Sequence, residues 1–291
     1  MSEQRLPPWI RKSLKTDKGF GKVHSLVDVM RLNTVCEEAR CPNRHECWNR
    51  GTATVMILGD VCTRSCGFCA VKSGRPEGLD TDEPRRVGQA AKAMDLKHIV
   101  ITSVNRDDQA DGGSGIFAET ICRVREELPD CTIEVLTPDF EGVEQNLKNV
   151  LGAQPDIYNH NVETVKRLQA DIRPQANYGR SLSTLRFASE WNPRIEPKSG
   201  IMLGLGEEDA EVVETLHDLY DAGCTMLTIG QYLRPSRKHH DVIKYYEPEE
   251  FIRYEKVARD IGFPAVASGP MVRSSYRAED LYDQVRQHAI R

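Results

Sequence analysis

Apolar residues gather in short β-rich runs at 53–58 (ATVMIL), 98–104 (HIVITSV), 132–136 (TIEVL), 157–160, 201–205, 226–231 and 264–268 (PAVAS). Helix-like stretches separate most of them, at 87–94, 116–128, 210–222 and 248–261. Strands divided by helices pair in parallel through right-handed crossovers, so the sheet either opens as a doubly wound fold or curls toward a barrel. Polar and glycine-rich segments follow the strands at 59–69, 105–115, 161–164, 204–208 and 231–236. In a parallel barrel such loops collect at one end, where chemistry sits. The expected architecture is α/β: a partial (β/α)6 TIM-type barrel over 51–268, with an N-terminal extension over 1–50 and a C-terminal tail over 269–291, both packed across it.

Composition narrows the setting. A chain of 291 residues with 39% apolar and 29% charged residues is globular rather than disordered or fibrous. No apolar run approaches the ~20 residues needed to cross a bilayer, so no membrane insertion is expected. The leading segment lacks the apolar core of a secretory signal, and Glu3, Asp17 and the Pro7-Pro8 pair suit a transit peptide poorly, which points to the cytoplasm. In that reducing compartment the nine cysteines, an odd number, are better read as metal ligands than as disulfides. A net charge of −5 gives no overall pull toward nucleic acid. Arg11, Lys12, Lys15, Lys18 and Lys22 make the leading arm locally basic, either as a solvated tail or as a partner contact.

Cys62, Cys66 and Cys69 follow the first predicted strand in a C-x3-C-x2-C loop, spacings that let three sulfurs turn toward one metal centre. A closed zinc site would need a fourth ligand, such as His45. A 4Fe–4S cluster with one iron left open needs none. The loop resembles the motif of the radical S-adenosylmethionine superfamily, and Phe68 matches the aromatic usual before its third cysteine. Gly200-Ile201-Met202-Leu203-Gly204-Leu205-Gly206-Glu207 is similar to the superfamily's GxIxGxxE strand, with Met202 in the Ile place. Asp111-Gly112-Gly113-Ser114 resembles its GGE loop, with Ser114 in the Glu place. The resemblance implies that Phe68, Gly112, Gly113, Asn161, Glu163, Arg173, Met202 and Gly204 contact S-adenosylmethionine. Taken alone, those polar groups read equally well as caps.

Cys36, Cys41 and Cys47 form a second thiol set, C-x4-C-x5-C, ahead of the barrel. It reads either as structural zinc completed by His45 or as an additional iron–sulfur cluster. The two motifs in this order resemble the lipoyl synthase family, and the likeness covers nearly the whole chain. It runs through Pro7-Pro8-Trp9-Ile10, Val61-Cys62-Thr63-Arg64-Ser65-Cys66, Arg106-Asp107-Asp108, Gly112-Gly113, His160-Asn161-Val162-Glu163-Thr164, Gln231-Tyr232-Leu233-Arg234-Pro235-Ser236 and Gly269-Pro270-Met271-Val272-Arg273-Ser274-Ser275-Tyr276. This resemblance implies two 4Fe–4S clusters, the second completed by Ser275 or, as the alternative, Ser274. An alkoxide is a harder ligand than thiolate and makes that corner labile, which suits a sulfur donor.

The resemblance further implies insertion of two sulfur atoms at C6 and C8 of an octanoyl group. Those carbons have no acidic proton, so a side-chain base cannot activate them and a radical is needed. The octanoyl group is expected on a lysine of a lipoyl carrier domain or the glycine-cleavage H protein. An electron donor such as flavodoxin or ferredoxin supplies reduction, and the chain is expected to act as a monomer. Arg234, Arg237, Lys238, His239 and His240 form a basic loop that could meet an acidic carrier or simply face solvent. Asp107 and Asp108 read as a cation site or as turn residues, and Cys122, Cys131 and Cys224 as small apolar side chains. A biotin synthase relative would lack the forward thiol set; a zinc-stabilised binding module would use all six thiols structurally.

Overall fold

Seven parallel strands, paired in chain order, form the body of the molecule: β1 (Thr52–Ile57), β2 (His98–Ser103), β3 (Thr132–Leu136), β4 (Ile157–Asn159), β5 (Glu196–Leu203), β6 (Met226–Gln231) and β7 (Ala265–Gly269). This computed structural model describes residues 6–10, 18–39 and 41–289. Helices α1 (Glu83–Met94), α2 (Ser114–Glu127), α3 (Glu144–Gly152), α4 (Tyr178–Trp191), α5 (Asp209–Asp221) and α6 (Pro248–Ile261) fill the crossovers, and α7 (Ala278–Ala289) follows β7. Six β/α units plus a seventh strand make the partial barrel expected. The sheet does not close: its order ends at β7 on one side and, on the other, at a two-residue strand Asn33–Thr34 that pairs antiparallel with β1.

Strands covered on both faces carry near-continuous apolar runs, and Ile99, Ile101, Ile133, Val135 and Ile229 are fully buried. β5 departs from that rule. It starts at Glu196, five residues before the apolar run begins, because Lys198 is neutralised inside the barrel. Its Nζ lies 2.9 and 2.8 Å from the two Glu134 carboxylate oxygens, and the Asn159 amide donates to the same carboxylate at 2.8 Å. His98 approaches within 3.4 Å. Burial pushes the Glu134 carboxyl up, but Lys198 and His98 outweigh it and hold the group down at about 2.

Helix α7 seals the opposite end from the loops: Leu281 and Val285 pack on Ile157, Met226 and Ala265, the first residues of β4, β6 and β7. The strands' C-terminal ends are left to the extensions. Ahead of β1, a helix over Lys18–Val29 precedes the forward thiols, with Cys36 in the short helix Val35–Glu38 and Cys47 in the short helix Arg44–Asn49. Arg11, Lys12 and Lys15 of the basic arm lie outside the described residues. Among the described residues no helix is long and apolar enough to cross a membrane.

Removing one partner of a buried ion pair leaves an uncompensated charge, so Lys198→Met is expected to cost about 3–5 kcal/mol of stability, and Glu134→Leu added to it restores most of the loss. Glu134's folded pKa lies below its ordinary value of 4.5, so its contribution is full above that pH and fades as pH falls toward about 2. Urea titrations of the three proteins between pH 3 and 7 check both points.

Candidate functional site

A cavity of about 1070 Å³ opens at the C-terminal ends of the strands, and all six cysteines of the two motifs line it. Nothing in the sequence spacing alone required the two sets to meet. Their meeting depends on contacts between the chain's two ends. The Asn43 amide donates to the Met271 carbonyl at 2.6 Å, Tyr276 donates to Glu46 at 3.0 Å, and Arg277 pairs with Glu46 at 3.0 Å. Arg50 pairs with Glu279 and Asp280, both at 2.6 Å, and Thr52 donates to Glu279 at 2.7 Å.

Gly230, on β6, is what admits the tail. A Cβ built there would stand 2.3 Å from the Val272 carbonyl oxygen, so no larger residue fits beneath residues 271–276. Gly200, on β5, plays a similar part on the cavity wall, where a Cβ would meet Thr228 Oγ1 at 2.5 Å and Asn161 Oδ1 at 2.9 Å.

The Cys62–Cys69 loop is held from three sides. Val61–Cys62 pairs with Lys72–Ser73 in a two-stranded ribbon, and the Gly67 N–H donates to the Ile172 carbonyl at 2.8 Å. The Asn105 and Arg64 N–H groups donate to Cys62 Sγ at 3.2 and 3.4 Å, which orients this sulfur in the loop. Arg64, only 5% exposed, pairs with Asp107 at 2.7 Å and Asp139 at 2.8 Å, fixing the loop to the segments after β2 and β3. Burial pushes Asp139 up, but Arg64 more than offsets it and holds the carboxyl at about 2. Asp107 and Asp108 are thereby spoken for as anchors, the second by Arg106 at 2.8 Å, rather than forming a cation site. Asn105 and Arg64 are the two supports that sequence reasoning missed; each follows a strand in a polar loop, the one signal available.

Burial pushes up the thiols of both sets: Cys36 and Cys66 are raised, and Cys47 and Cys69 reach about 12. Within each set the sulfurs feel one another's charge, Cys41 acting on both Cys36 and Cys47, and Cys62 on both Cys66 and Cys69. All nine cysteines are free. Thiols grouped in an apolar wall with raised pKa values are poor thiolates unless a cation or metal centre joins them. Among the described residues no three His, Cys, Asp or Glu side chains converge to hold a single metal ion. Three thiols of each set on one cavity wall are a donor set that a 4Fe–4S cluster would accept, each thiolate on a separate iron.

Of the residues predicted to contact S-adenosylmethionine, Phe68, Asn161, Glu163, Arg173 and Met202 line the cavity. Glu163 is half-buried, its pKa raised by desolvation against the pull of Arg173, and its charge reaches Cys66 and Cys69. The Arg173 Nη1 donates to the carbonyls of Asn161 and Val162, and its Nε and Asn161 Oδ1 are buried without a partner. His160 bridges Thr137 and Ser181 at 2.9 Å each; burial and then Arg173 push it down to about 4, so it is neutral near pH 7. Gly112, Gly113 and Gly204 lie outside the lining. A Cβ on Gly112 would stand 3.1 Å from Phe140 and one on Gly113 would stand 2.3 Å from Leu58, both glycines having positive φ, so this turn packs the start of α2. Gly204 packs against Gln231 and the Lys244 carbonyl. Ser114 is fully buried and accepts from Asn149. Ser274 and Ser275 both line the cavity.

Residues 56–219 match the radical SAM superfamily, and residues 1–41 match the N-terminal domain of lipoyl synthase of the radical SAM family. A lipoyl synthase from Rubrobacter xylanophilus is 53% identical over 284 residues, spanning 98% of this chain and 88% of that protein. The chain belongs to the lipoyl synthase family. A mitochondrial lipoyl synthase from Nematostella vectensis, 52% identical, covers 94% of each chain. Among solved structures, methylornithine synthase aligns with a TM-score of 0.57 at 16% identity over 87% of this chain and 72% of its own. SuiB of Streptococcus suis, solved with S-adenosylmethionine bound, aligns at 0.55 and 11% identity over 77% of this chain and 51% of its own. These two likenesses establish a shared fold.

Overpacking at Gly230 costs about 1–3 kcal/mol where a neighbour must move, so Gly230→Ala is expected to lift residues 271–276 from β6 and speed proteolysis there about tenfold. Mass mapping of limited digests of wild type and variant checks this; an unchanged cleavage pattern would contradict the tail's placement.

Proposed function

We propose that this lipoyl synthase family member inserts sulfur at C6 and C8 of an octanoyl chain amide-linked to a lysine of a lipoyl carrier domain or the glycine-cleavage H protein. The single observation that carries the reading is that both thiol sets line one cavity. Cys62, Cys66 and Cys69 hold a 4Fe–4S cluster with an open iron, and Cys36, Cys41, Cys47 and Ser275 hold the auxiliary one, with Ser274 the alternative. Together with S-adenosylmethionine, these clusters supply a 5′-deoxyadenosyl radical and the two sulfur atoms.

The chain's residues supply positioning. Asn161, Glu163, Arg173 and Met202 flank the first thiol set and suit the polar and adenine parts of S-adenosylmethionine; the unpartnered Arg173 Nε and Asn161 Oδ1 are groups such a ligand would satisfy. Among the charged and polar groups of the wall, Phe68, Leu136, Ile201 and Val272 supply apolar surface that suits an extended acyl chain. Arg234 donates to the carbonyls of His239 and Arg237, and His239 Nε2 sits 2.9 Å from the Cys69 carbonyl, so the basic loop braces the first thiol set. Arg237 and Lys238 at its tip face outward and suit an acidic carrier.

In this reading residues 1–50 bring the auxiliary set, 51–268 the barrel and 269–291 the tail that closes the site. One copy brings both sets to one cavity, so a monomer suffices, reduced by a flavodoxin or ferredoxin. Unpaired thiols suit the reducing cytoplasm.

Anaerobic protein is expected to carry about eight irons with a brown absorbance. Cys62→Ala abolishes release of 5′-deoxyadenosine, whereas Cys36→Ala keeps that release and loses thiolation of an octanoylated carrier peptide. Chromatography of the nucleoside and mass spectrometry of the peptide read the two steps; equal loss of both in each variant would show that the sets do not divide the labour.

A further inference from the structure

Among the described residues no carboxylate pairs with Arg273, a half-buried cation. It lines the cavity beside the end of β6, where its Nη1 donates to the Val272 carbonyl at 2.6 Å and lies 3.7 Å from the position a Cβ on Gly230 would take. Among the described residues, the one group whose charge acts on it appreciably is the Cys41 thiol. Its neighbours differ. Arg64 has Asp107 and Asp139, Arg44 has Glu37 at 3.3 Å, and Arg234 has Asp241. A charge drawn out of bulk water without a counter-ion is costly, and fold-level packing gives no reason to keep one. The counter-charge therefore arrives with whatever occupies the cavity beside Cys41.

We propose that Arg273 is the counter-charge of the cluster held by Cys36, Cys41 and Cys47, a positioning residue that offsets its net negative charge and makes its one-electron reduction easier. The inference rests on the reading of that set as the auxiliary cluster site. Three thiolates and an alkoxide outweigh the charge of an iron–sulfide core, and reduction adds one more negative charge. A fixed cation on the wall of the same cavity would favour the reduced form, because surrounding charge and hydrogen bonds set a cluster's potential. A guanidinium serves where an ammonium serves less well, since it keeps its proton when desolvated. Its link to the Val272 carbonyl, which itself rests on Gly230, fixes the charge in place as the tail closes.

The test uses the full chain with Cys62, Cys66 and Cys69 changed to Ala, so that only the auxiliary cluster is present, reconstituted anaerobically and titrated at pH 7 with the reduced cluster followed by electron paramagnetic resonance. Arg273→Gln is expected to make reduction at least tenfold less favourable, a shift of about 59 mV for one electron, while Arg273→Lys stays near the parent value. An unchanged potential in the Gln variant, or a Lys variant shifted as far as Gln, overturns the proposal. Iron and sulfide analysis covers the other outcomes. Loss of the cluster in Gln but not in Lys supports a charge role; loss in both shows a packing role and overturns it. A Gln variant with the parent potential but weakened S-adenosylmethionine binding in the unmodified cysteine background assigns the counter-charge elsewhere and also overturns it. If the parent protein binds no cluster at all, the reading of the Cys36, Cys41 and Cys47 set fails instead.

Discussion

Residues 271–276 lie across the end of β6 because position 230 has no side chain. That contact, with the Asn43 amide on the Met271 carbonyl, fastens the two ends of the chain over the mouth of an open barrel. The six thiols then line one open cavity rather than two separate surfaces. An open barrel alone would leave the Cys62–Cys69 loop facing solvent; the forward segment alone would have no wall to face.

Closure carries an electrostatic consequence. Burial raises the pKa of Cys36 and Cys47 in one set and of Cys66 and Cys69 in the other, so these thiols resist ionisation until something positive joins them. Around the first set the barrel supplies N–H donors to Cys62 and a network of Arg64 with Asp107 and Asp139. Around the second the tail supplies Arg273 and a pair of serines. In the proposed division of labour the different surroundings match different demands: the first site would stay intact through repeated reduction, and the second would give up sulfur.

The barrel was legible because parallel strands buried on both faces leave apolar runs, and six of the seven runs lie within two residues of a strand. β5 was misplaced at its start because Lys198 and Glu134, each an ordinary surface residue by type, neutralise one another inside the barrel. Helices α3 and α4 went unrecognised because their charged and polar residues interrupt the apolar stripe, although Asn177 caps α4 by accepting from the Arg180 N–H at 2.9 Å. The cysteines were legible by spacing, which is a local property. Gly112, Gly113 and Gly204 lie outside the cavity lining and have positive φ, a backbone conformation that selects glycine whether or not the turn meets a ligand. Arg273 and the Gly230 contact depend on which distant segments touch, which no local pattern records.

The central claim is that one cavity joins a radical source to a sulfur store held by this same chain. The most direct measurement is a single turnover of protein whose auxiliary cluster has been rebuilt with heavy-isotope sulfide, in medium containing light sulfide, with mass spectrometry of the octanoylated carrier peptide. The account predicts that both inserted atoms are heavy. A product carrying light sulfur at either carbon would place the donor outside this cavity.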